Sequence, residues 1–179
     1  QVRQIDPNGG VKTSRIDVLG RETAMVSQLG NTTLKFYDLQ GRLIQERDPL
    51  GNETGHRYDA FDREIARTDG LGMQTPGNPD DHTTRYAYDQ RDRLVRMEAP
   101  QGWHLAHDND FFYQDERERL GFPRDAALLS AEQQQALINH YSVSYAHDGR
   151  NHVTSTFYPL GQRTDEIYDG NGRLSETRL

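Results

Sequence analysis

The chain repeats a short pattern with a basic period of 21 residues, and this repeat constrains the fold more than any other feature. Each copy is anchored by an aspartate, and the anchors are Asp17, Asp38, Asp59, Asp89, Asp148 and Asp169. The spacings between them are 21, 21, 30, 59 and 21 residues. A fixed period of this length is typical of proteins whose repeats fold as equivalent units that stack on their neighbours.

Other residues keep the same register as the anchors. A glycine stands thirteen residues after five of them, at Gly30, Gly51, Gly72, Gly102 and Gly161. A tyrosine directly precedes four anchors, at Tyr37, Tyr58, Tyr88 and Tyr168. An arginine follows four residues later in five copies, at Arg21, Arg42, Arg63, Arg93 and Arg173, and His152 takes that place in the sixth. With only 16 glycines in 179 residues, chance would place fewer than one of the five glycines in register.

Each copy is predicted to form a β-hairpin followed by a connecting turn. Residues 33–37 alternate in character, which is the period-2 signature of a strand. The anchor aspartate suits the first position of a type I turn, where its carboxylate accepts a backbone N–H two residues on. The fourth turn position is predicted to have positive φ, which Gly, Asn and Asp tolerate; it is occupied by Gly20, Gly41, Asp62, Asp92, Asn151 and Gly172. The glycines thirteen residues after the anchors are predicted to lie in the connecting turns. The expected fold class is all-β, an antiparallel hairpin-repeat sheet.

Two insertions interrupt the array, which we otherwise expect to run through 1–179 and to be cut inside a repeat at both ends. The first, 73–83, is predicted to be a polar loop. The second, 103–140, contains Ser130-Ala131-Glu132-Gln133, a capping-box pattern that predicts a helix over about 130–140, the only helix expected, after a turn over 125–129. We expect this insertion to cap the sheet or to contact the rest of the array.

Composition and charge exclude several classes of protein. There is no cysteine, which excludes a disulfide-stapled domain, and no apolar stretch approaches the ~18 residues of a membrane-spanning helix. The hydrophobic share is 33% and the net charge is −7, with 21 Lys and Arg against 28 Asp and Glu. An acidic chain lacks the cationic excess that binding to nucleic acid phosphates requires, so no nucleic acid partner is expected.

The candidates for chemistry are weak. His104 and His107, with Asp108 and Asp110, could hold a metal ion, but the third ligand is unspecified, and a polar insertion loop is favoured. Asp169-Gly170-Asn171-Gly172 resembles the start of a calcium loop but matches the hairpin turn. The repeated aspartates resemble catalytic carboxylates, yet a catalytic pair is not copied six times. We therefore predict no catalytic residue, no metal ion and no cofactor.

Aromatic side chains leave one alternative open. The repeat tyrosines and the run Phe111-Phe112-Tyr113 could stack against sugars, although aromatic residues in a sheet more often pack across strands. Carbohydrate binding by these aromatic rings therefore stays as an alternative. A hydrolase is the least favoured.

The repeat resembles that of the YD-repeat, or Rhs, family. The clearest copy is Tyr37-Asp38-Leu39-Gln40-Gly41-Arg42-Leu43, which closes at Asp48-Pro49-Leu50-Gly51-Asn52. The family includes bacterial Rhs polymorphic toxins and the B and C subunits of insecticidal toxin complexes. The resemblance implies a hollow β-shell that encloses or presents a toxin domain, which the second insertion could then contact as an enclosed cargo. Other members of the family are cell-surface proteins, so the second hypothesis is a cell-surface module that binds carbohydrate or a receptor.

The resemblance also implies partners and a location. The expected partners are the remaining repeats of the same shell, the enclosed toxin domain and a secretion or translocation apparatus. The protein is then secreted by bacteria or delivered to a target cell. Neither the self-cleaving segment that ends an Rhs core nor a toxin domain is found in this sequence, so neither autoproteolysis nor toxicity is expected of the chain itself.

Overall fold

The computed structural model describes residues 2–5, 10–74 and 82–179, and the chain divides into two compact units, Gln1–His82 and Thr83–Leu179. The first unit contains β1 (Val2–Ile5), β2 (Val11–Ile16), β3 (Glu22–Val26), β4 (Thr32–Tyr37), β5 (Leu43–Arg47), β6 (Glu53–Tyr58), β7 (Glu64–Thr68) and the short helix α1 (Gly70–Gln74). The second contains β8 (Thr83–Tyr88), β9 (Leu94–Glu98), α2 (Pro100–His107), α3 (Phe111–Arg119), α4 (Ala131–His140), β10 (Ser142–His147), β11 (Val153–Phe157), β12 (Arg163–Tyr168) and β13 (Leu174–Arg178).

Within each unit, every strand pairs antiparallel with the strand that follows it in sequence. The predicted all-β class and antiparallel hairpin-repeat sheet are confirmed. We call hairpins the six antiparallel strand pairs, three in each unit of the described residues, whose joining turn contains an anchor aspartate. Within the described residues, no helix has the length and apolar content needed to span a membrane.

A β-bulge stands beside the turn of every hairpin. In the second hairpin Phe36 pairs with Gln45, whereas the next residue, Tyr37, pairs with Leu43, so one residue of β5 is left without an opposite partner. The other five hairpins show the same shift in register. A type I turn followed by a left-handed residue is a common hairpin loop that carries such a bulge, so the repeated turn chemistry fixes the register of each pair.

The strands form thin sheets whose buried residues are small. Ala24 and Ala66 are buried in the first unit and Thr83, Ser155 and Thr156 in the second. Larger side chains stay partly exposed, as Phe36 does at 41%. Such sheets gain stability from cross-strand pairs and hydrogen bonds more than from a thick apolar core.

The second insertion folds into a small helical subdomain with its own core. Leu105, Ala106, Ala126, Leu129 and Leu137 are buried together. Ser130 accepts a hydrogen bond from the backbone N–H of Gln133, whose side chain accepts one in return, so α4 begins with the predicted capping box. A short 3-10 helix, Ala126–Leu128, precedes it where a turn is predicted. Helix α4 also contacts β10 and the 3-10 turn at Pro159–Gly161. These contacts are those expected of an element that caps the strands of its unit.

Three helices other than α4 contradict the prediction of a single helix. Helices α2 and α3 lie in or beside the second insertion, and α1 overlaps the start of the loop predicted over 73–83, of which 75–81 lie outside the described residues. Two glycines expected in connecting turns, Gly72 and Gly102, lie in α1 and α2 instead. Pro100 at the first turn of α2 is the sequence signal for that helix, because proline is favoured there.

Gly102 has a packing role in place of a turn role. A Cβ at this position would lie 2.9 Å from both the Cα and the carbonyl oxygen of Ile138 in α4. Real Cβ atoms do not approach backbone atoms so closely, so glycine permits the contact between α2 and α4. The glycine of the repeat register is thus used here for helix packing.

Arg117 is a fully buried cation that holds the insertion together. Its Nη1 donates to the carbonyl oxygens of Leu105, at 2.8 Å, and Asp108, at 2.6 Å. Its Nε donates to the carbonyl oxygen of Arg124 at 2.9 Å, and its Nη2 donates to Oδ1 of Asn109 at 3.0 Å. The planar fork of five donors matches this ring of acceptors, so a single side chain joins the end of α2 to the segment before the 3-10 helix.

We predict that Arg117→Met lowers the free energy of unfolding of the second unit by about 3 kcal/mol or more, because several buried acceptors lose their donors. Urea denaturation measures the change. Arg119→Met is the matched control, since Arg119 lies on the same helix with a side chain 63% exposed in an ion pair with Glu116, and it should change stability little. Equal effects of the two substitutions would contradict the role given to Arg117.

We also predict that Gly51→Ala destabilises the first unit by about 1–2 kcal/mol, the cost of the left-handed region for a residue with a Cβ. Gly51 has a φ of +90°, and a Cβ there would meet nothing within 4 Å, so the cost is conformational. Gly170→Ala is the control, because its surroundings are equally open and its φ is not in the left-handed range. That control should be neutral or slightly stabilising in the same denaturation assay; a loss as large as that of Gly51→Ala would contradict the prediction.

Candidate functional site

The repeated aspartates form a regular series of turn contacts, which we call the aspartate ladder. It comprises the six anchors and the residue four positions after each. Oδ1 of Asp17 accepts the backbone N–H groups of Leu19 and Arg21, both at 2.9 Å. The same pair of donors reaches Oδ1 of Asp59, Asp89, Asp148 and Asp169, and at Asp38 the N–H of Arg42 donates at 2.9 Å.

The backbone of these turns has the conformation that the sequence predicts. All six fourth positions have positive φ, from 61° at Asp92 to 89° at Gly41. The connecting turns repeat the device, since Gly30, Gly51 and Gly161 also have positive φ. The anchor carboxylate therefore holds a turn that a left-handed residue makes possible.

The second carboxylate oxygen binds the side chain four residues on. Nε of Arg42 donates to Oδ2 of Asp38 at 2.7 Å, and the corresponding arginines in the Asp17, Asp59 and Asp89 turns do so at the same distance. Where His152 replaces arginine, its Nδ1 lies 2.9 Å from Oδ2 of Asp148. Both oxygens of the carboxylate are thus used within its own turn.

The arginines also connect one hairpin to the next. Nη1 of Arg21 donates to the carbonyl oxygen of Asp38 at 3.2 Å, and Nη1 of Arg42 donates to that of Asp59 at 3.0 Å. Nη1 of Arg93 reaches the carbonyl oxygen of Asp148 at 2.8 Å, across the helical insertion. Recurrence of arginine in the sequence does not reveal this second contact, because the neighbouring turn is known only once the strands are paired.

The repeat tyrosines pack under these arginines. The guanidinium of Arg21 lies 4.8 Å from the ring centre of Tyr37, and that of Arg42 lies 5.1 Å from that of Tyr58. The hydroxyl of Tyr37 donates to the carbonyl oxygen of Glu22 at 2.9 Å, and that of Tyr58 makes the equivalent bond to the preceding hairpin. In the last repeat the ring of His152 stacks on Tyr168 at 4.3 Å.

This environment lowers the pKa of five anchors and so favours their ionised form; they are Asp17, Asp38, Asp59, Asp89 and Asp148. The hydrogen bond from the Arg93 side chain, reinforced by the backbone N–H groups of Arg93 and Arg91, lowers the pKa of Asp89 to about 2. Backbone hydrogen bonding from Arg21 is the largest cause that lowers the pKa of Asp17. The hydrogen bonds of the aspartate ladder therefore favour carboxylates that stay ionised.

His104 and His107, considered above as metal ligands, contact different groups. Nδ1 of His104 lies 2.6 Å from Oδ2 of Asp108, whereas Nδ1 of His107 lies 3.0 Å from the carbonyl oxygen of Trp103. The favoured interpretation of this segment as a polar loop is wrong, because both histidines lie in α2. In the part of the chain that the structure describes, no group of three or more His, Asp or Glu side chains could hold a metal ion.

The pKa of Asp89 predicts a specific loss of stability in acid. A carboxylate with a folded pKa of about 2, below its ordinary 3.8, stabilises the fold fully above the higher value and loses this contribution as the pH falls through the lower one. Asp89→Asn should therefore be less stable than the wild type at pH 7, and the difference should shrink between about pH 4 and pH 2. Urea midpoints measured across that range give the result.

The control for this pH series is Asp110→Asn, which removes an exposed carboxylate that makes no side-chain cap to α3. The urea midpoint of this variant should fall between pH 4 and pH 2 as that of the wild type does. A gap between Asp89→Asn and wild type that stays constant down to pH 2 would contradict the assignment.

Comparison with known proteins shows both a sequence match and a fold match. Residues 37–73 match the RHS Repeat family. No curated protein sequence matches the chain. Among solved structures, the complex of TcdB2–TccC3 with Cdc42 is 13% identical over 92% of this chain and 7% of that one, with a TM-score of 0.55.

Two further toxin structures match in the same way. TcdB2–TccC3 without its hypervariable C-terminal region gives 13% identity and a TM-score of 0.55, again over 92% and 7% of the two chains. The Tc holotoxin pore of Photorhabdus luminescens, with a TccC3 variant, gives 14% identity and a TM-score of 0.54 over 98% of this chain and 8% of that one. The chain thus spans less than a tenth of the toxin chains that share its fold. Residues 37–73 carry the RHS repeat, which confirms the resemblance to the YD-repeat, or Rhs, family, and the toxin structures show that the fold is shared.

Proposed function

We propose that the chain is a non-enzymatic structural segment of a bacterial toxin complex, in which the repeat sheet forms part of a shell that encloses or presents a toxin domain. The observation that carries the proposal is the fold shared by 92% of the chain with TcdB2–TccC3. The remaining repeats of the shell and the enclosed toxin domain are the proposed partners. Secretion and delivery to a target cell, by a secretion or translocation apparatus, follow from the same role.

The aspartate ladder supports a structural role over an enzymatic one. In four of the six turns the anchor carboxylate accepts backbone N–H groups on one oxygen and an arginine Nε on the other. A general acid or base needs a proton-exchanging oxygen within reach of a substrate. These carboxylates instead use both oxygens to hold turns, which is the chemistry of a scaffold.

The tyrosines favour the same choice over the carbohydrate-binding alternative. A sugar-stacking platform needs open aromatic faces. The rings of Tyr37 and Tyr58 are instead covered by arginine side chains of the preceding repeat, and their hydroxyls donate to the backbone. The repeat aromatics therefore support the sheet rather than offer a sugar site.

The shell role is tested on native complexes captured from producing cells with an antibody against this chain. Electron microscopy should show a closed wall of β-sheet around a second folded segment, and that segment should resist added protease. The double variant Asp38→Ala, Asp59→Ala should lose this protection, because two rungs of the ladder are removed. The control variant Asp110→Ala should keep it.

An open sheet with no enclosed polypeptide would overturn the shell role. Specific retention of the purified chain on a glycan array, lost on substitution of exposed aromatic residues, would favour the carbohydrate-binding alternative instead.

A further inference from the structure

The second insertion is a module added to the sheet and is not needed to complete it. Strands β9 and β10 pair directly, with Ser142 opposite Glu98, so the hydrogen bonds of the sheet continue past the helices. The insertion also has a core of its own, which includes the buried side chains of Leu105 and Leu137. The side chains on its outer surface therefore serve neither the sheet nor this core, and their chemistry points to a separate role.

Large aromatic side chains lie on that outer surface and contact one another. Phe111 and Phe112 begin helix α3, and each is 73% exposed. The ring centre of Phe112 lies 5.4 Å from that of Tyr113, and a series of further ring contacts, 4.4 to 6.3 Å between centres, runs on into α2. We call this series the aromatic strip, and its members are Phe112, Tyr113, His104, Trp103 and His107. Contiguous aromatic groups that reach the surface are typical of binding sites for partners.

The surface around the strip is acidic. The insertion, 103–140, contains seven Asp and Glu residues, three arginines and no lysine. One arginine, Arg117, is buried, and the other two are ion-paired with carboxylates of α3. Two carboxylates stand at the strip itself. Oδ2 of Asp108 lies 2.6 Å from a histidine of the strip, and Asp110, directly before α3, is exposed and does not cap that helix with its side chain.

Aromatic rings and carboxylates together form a surface that binds cations. A lysine ammonium or an arginine guanidinium is attracted both to the face of an aromatic ring and to a carboxylate. The protein already contains one such contact, since the guanidinium of Arg124 lies 5.9 Å from the ring centre of Phe111. Because that ring is still 73% exposed, most of its surface is open to the side chains of a partner.

Charge separates the classes of partner that this surface can take. Nucleic acids and anionic lipid headgroups are repelled by the carboxylates. A second copy of the chain would bring the same carboxylates against their own kind, which opposes contact between two insertions. A polypeptide with basic and apolar side chains close together complements both the charge and the aromatic rings.

We propose that the aromatic strip, with Phe111, Asp108 and Asp110, is a docking surface for a basic segment of another polypeptide, in which lysine or arginine alternates with apolar residues. The basic side chains face the carboxylates and the open rings, and the apolar ones cover the two phenylalanines. This role goes beyond the shell role and does not depend on it. Because the charges involved are exposed, the affinity falls as the salt concentration rises.

The test uses Trp103, which lies in the strip and is the single tryptophan of the chain. The full chain is titrated with a synthetic peptide in which Leu-Lys-Lys-Leu is repeated three times, and tryptophan fluorescence is followed. A saturable change in fluorescence is expected at low salt, and its midpoint should move to higher peptide concentration as salt is added. The same peptide with glutamate in place of every lysine should give no saturable change.

Variants of the surface locate the contact. Phe111→Ser with Phe112→Ser should weaken peptide binding at least about tenfold, because aromatic anchors contribute most to such contacts. Asp110→Asn should weaken it several-fold. The matched controls lie outside the insertion: Phe61→Ser, at a phenylalanine 76% exposed in the first unit, and Glu176→Gln, at a half-exposed glutamate of β13. Both should bind as the wild type does, and circular dichroism should show unchanged helix content in every variant.

Several results would overturn the docking role. Saturable binding of the glutamate peptide, or equal losses for Glu176→Gln and Asp110→Asn, would reduce the contact to unspecific charge attraction. Unchanged affinity in the double phenylalanine variant would remove the strip from the contact. Binding of an oligosaccharide in place of the peptide, or self-association of the chain, would assign the surface to a sugar or to a second copy if the double variant abolished it.

The docking role and the shell role fail separately. A native complex with an enclosed segment and a chain that does not bind the lysine peptide rejects only the docking surface. Specific peptide binding by a chain whose native complex encloses nothing rejects only the shell role.

Discussion

The hydrogen bonding of one carboxylate in each repeat supports the whole sheet. The anchor aspartate accepts the N–H groups of its own turn and binds the arginine that reaches the turn of the next hairpin. The turn conformation, the bulge beside it and the register of the strands all follow from that arrangement. Each of these contacts joins a repeat to its immediate neighbour, so each repeat is stabilised locally. Further repeats can therefore be added without changing the existing ones.

This local bonding explains how a chain with 33% hydrophobic residues forms an ordered sheet. In the strands the buried positions are filled by glycine, alanine, serine and threonine, and large side chains are half-covered by their neighbours. Charged groups take the place of a thick core: an arginine covers the tyrosine ring of the next repeat with its guanidinium and holds two turns at once. These arginines are partly buried, and hydrogen bonds between charged partners are stronger than those between neutral groups.

The sequence predicts the parts of the fold that local chemistry decides. Aspartate at the start of a turn and glycine, asparagine or aspartate at its fourth residue determine φ through steric contacts within four residues, and the capping box of α4 is equally local. The missed features depend on partners distant in sequence. Gly102 lies in a helix rather than a turn, where the absence of a Cβ lets the backbone of Ile138 approach it closely. Helix α3 has no apolar periodicity in its sequence, because it is held by Arg117, whose hydrogen-bond acceptors come from other segments. The hydrogen bond from each arginine to the following turn cannot be predicted from the sequence for the same reason.

The ladder link that spans the helical insertion has an evolutionary consequence. Between uninterrupted repeats the arginine and the carbonyl it binds are 17 residues apart, whereas Arg93 and Asp148 are 55 apart and make the same bond at 2.8 Å. β9 and β10 pair directly despite the intervening helices. A connecting turn can therefore be replaced by a folded module without interrupting the sheet, which makes these turns points at which a repeat array can acquire new parts while its sheet stays continuous.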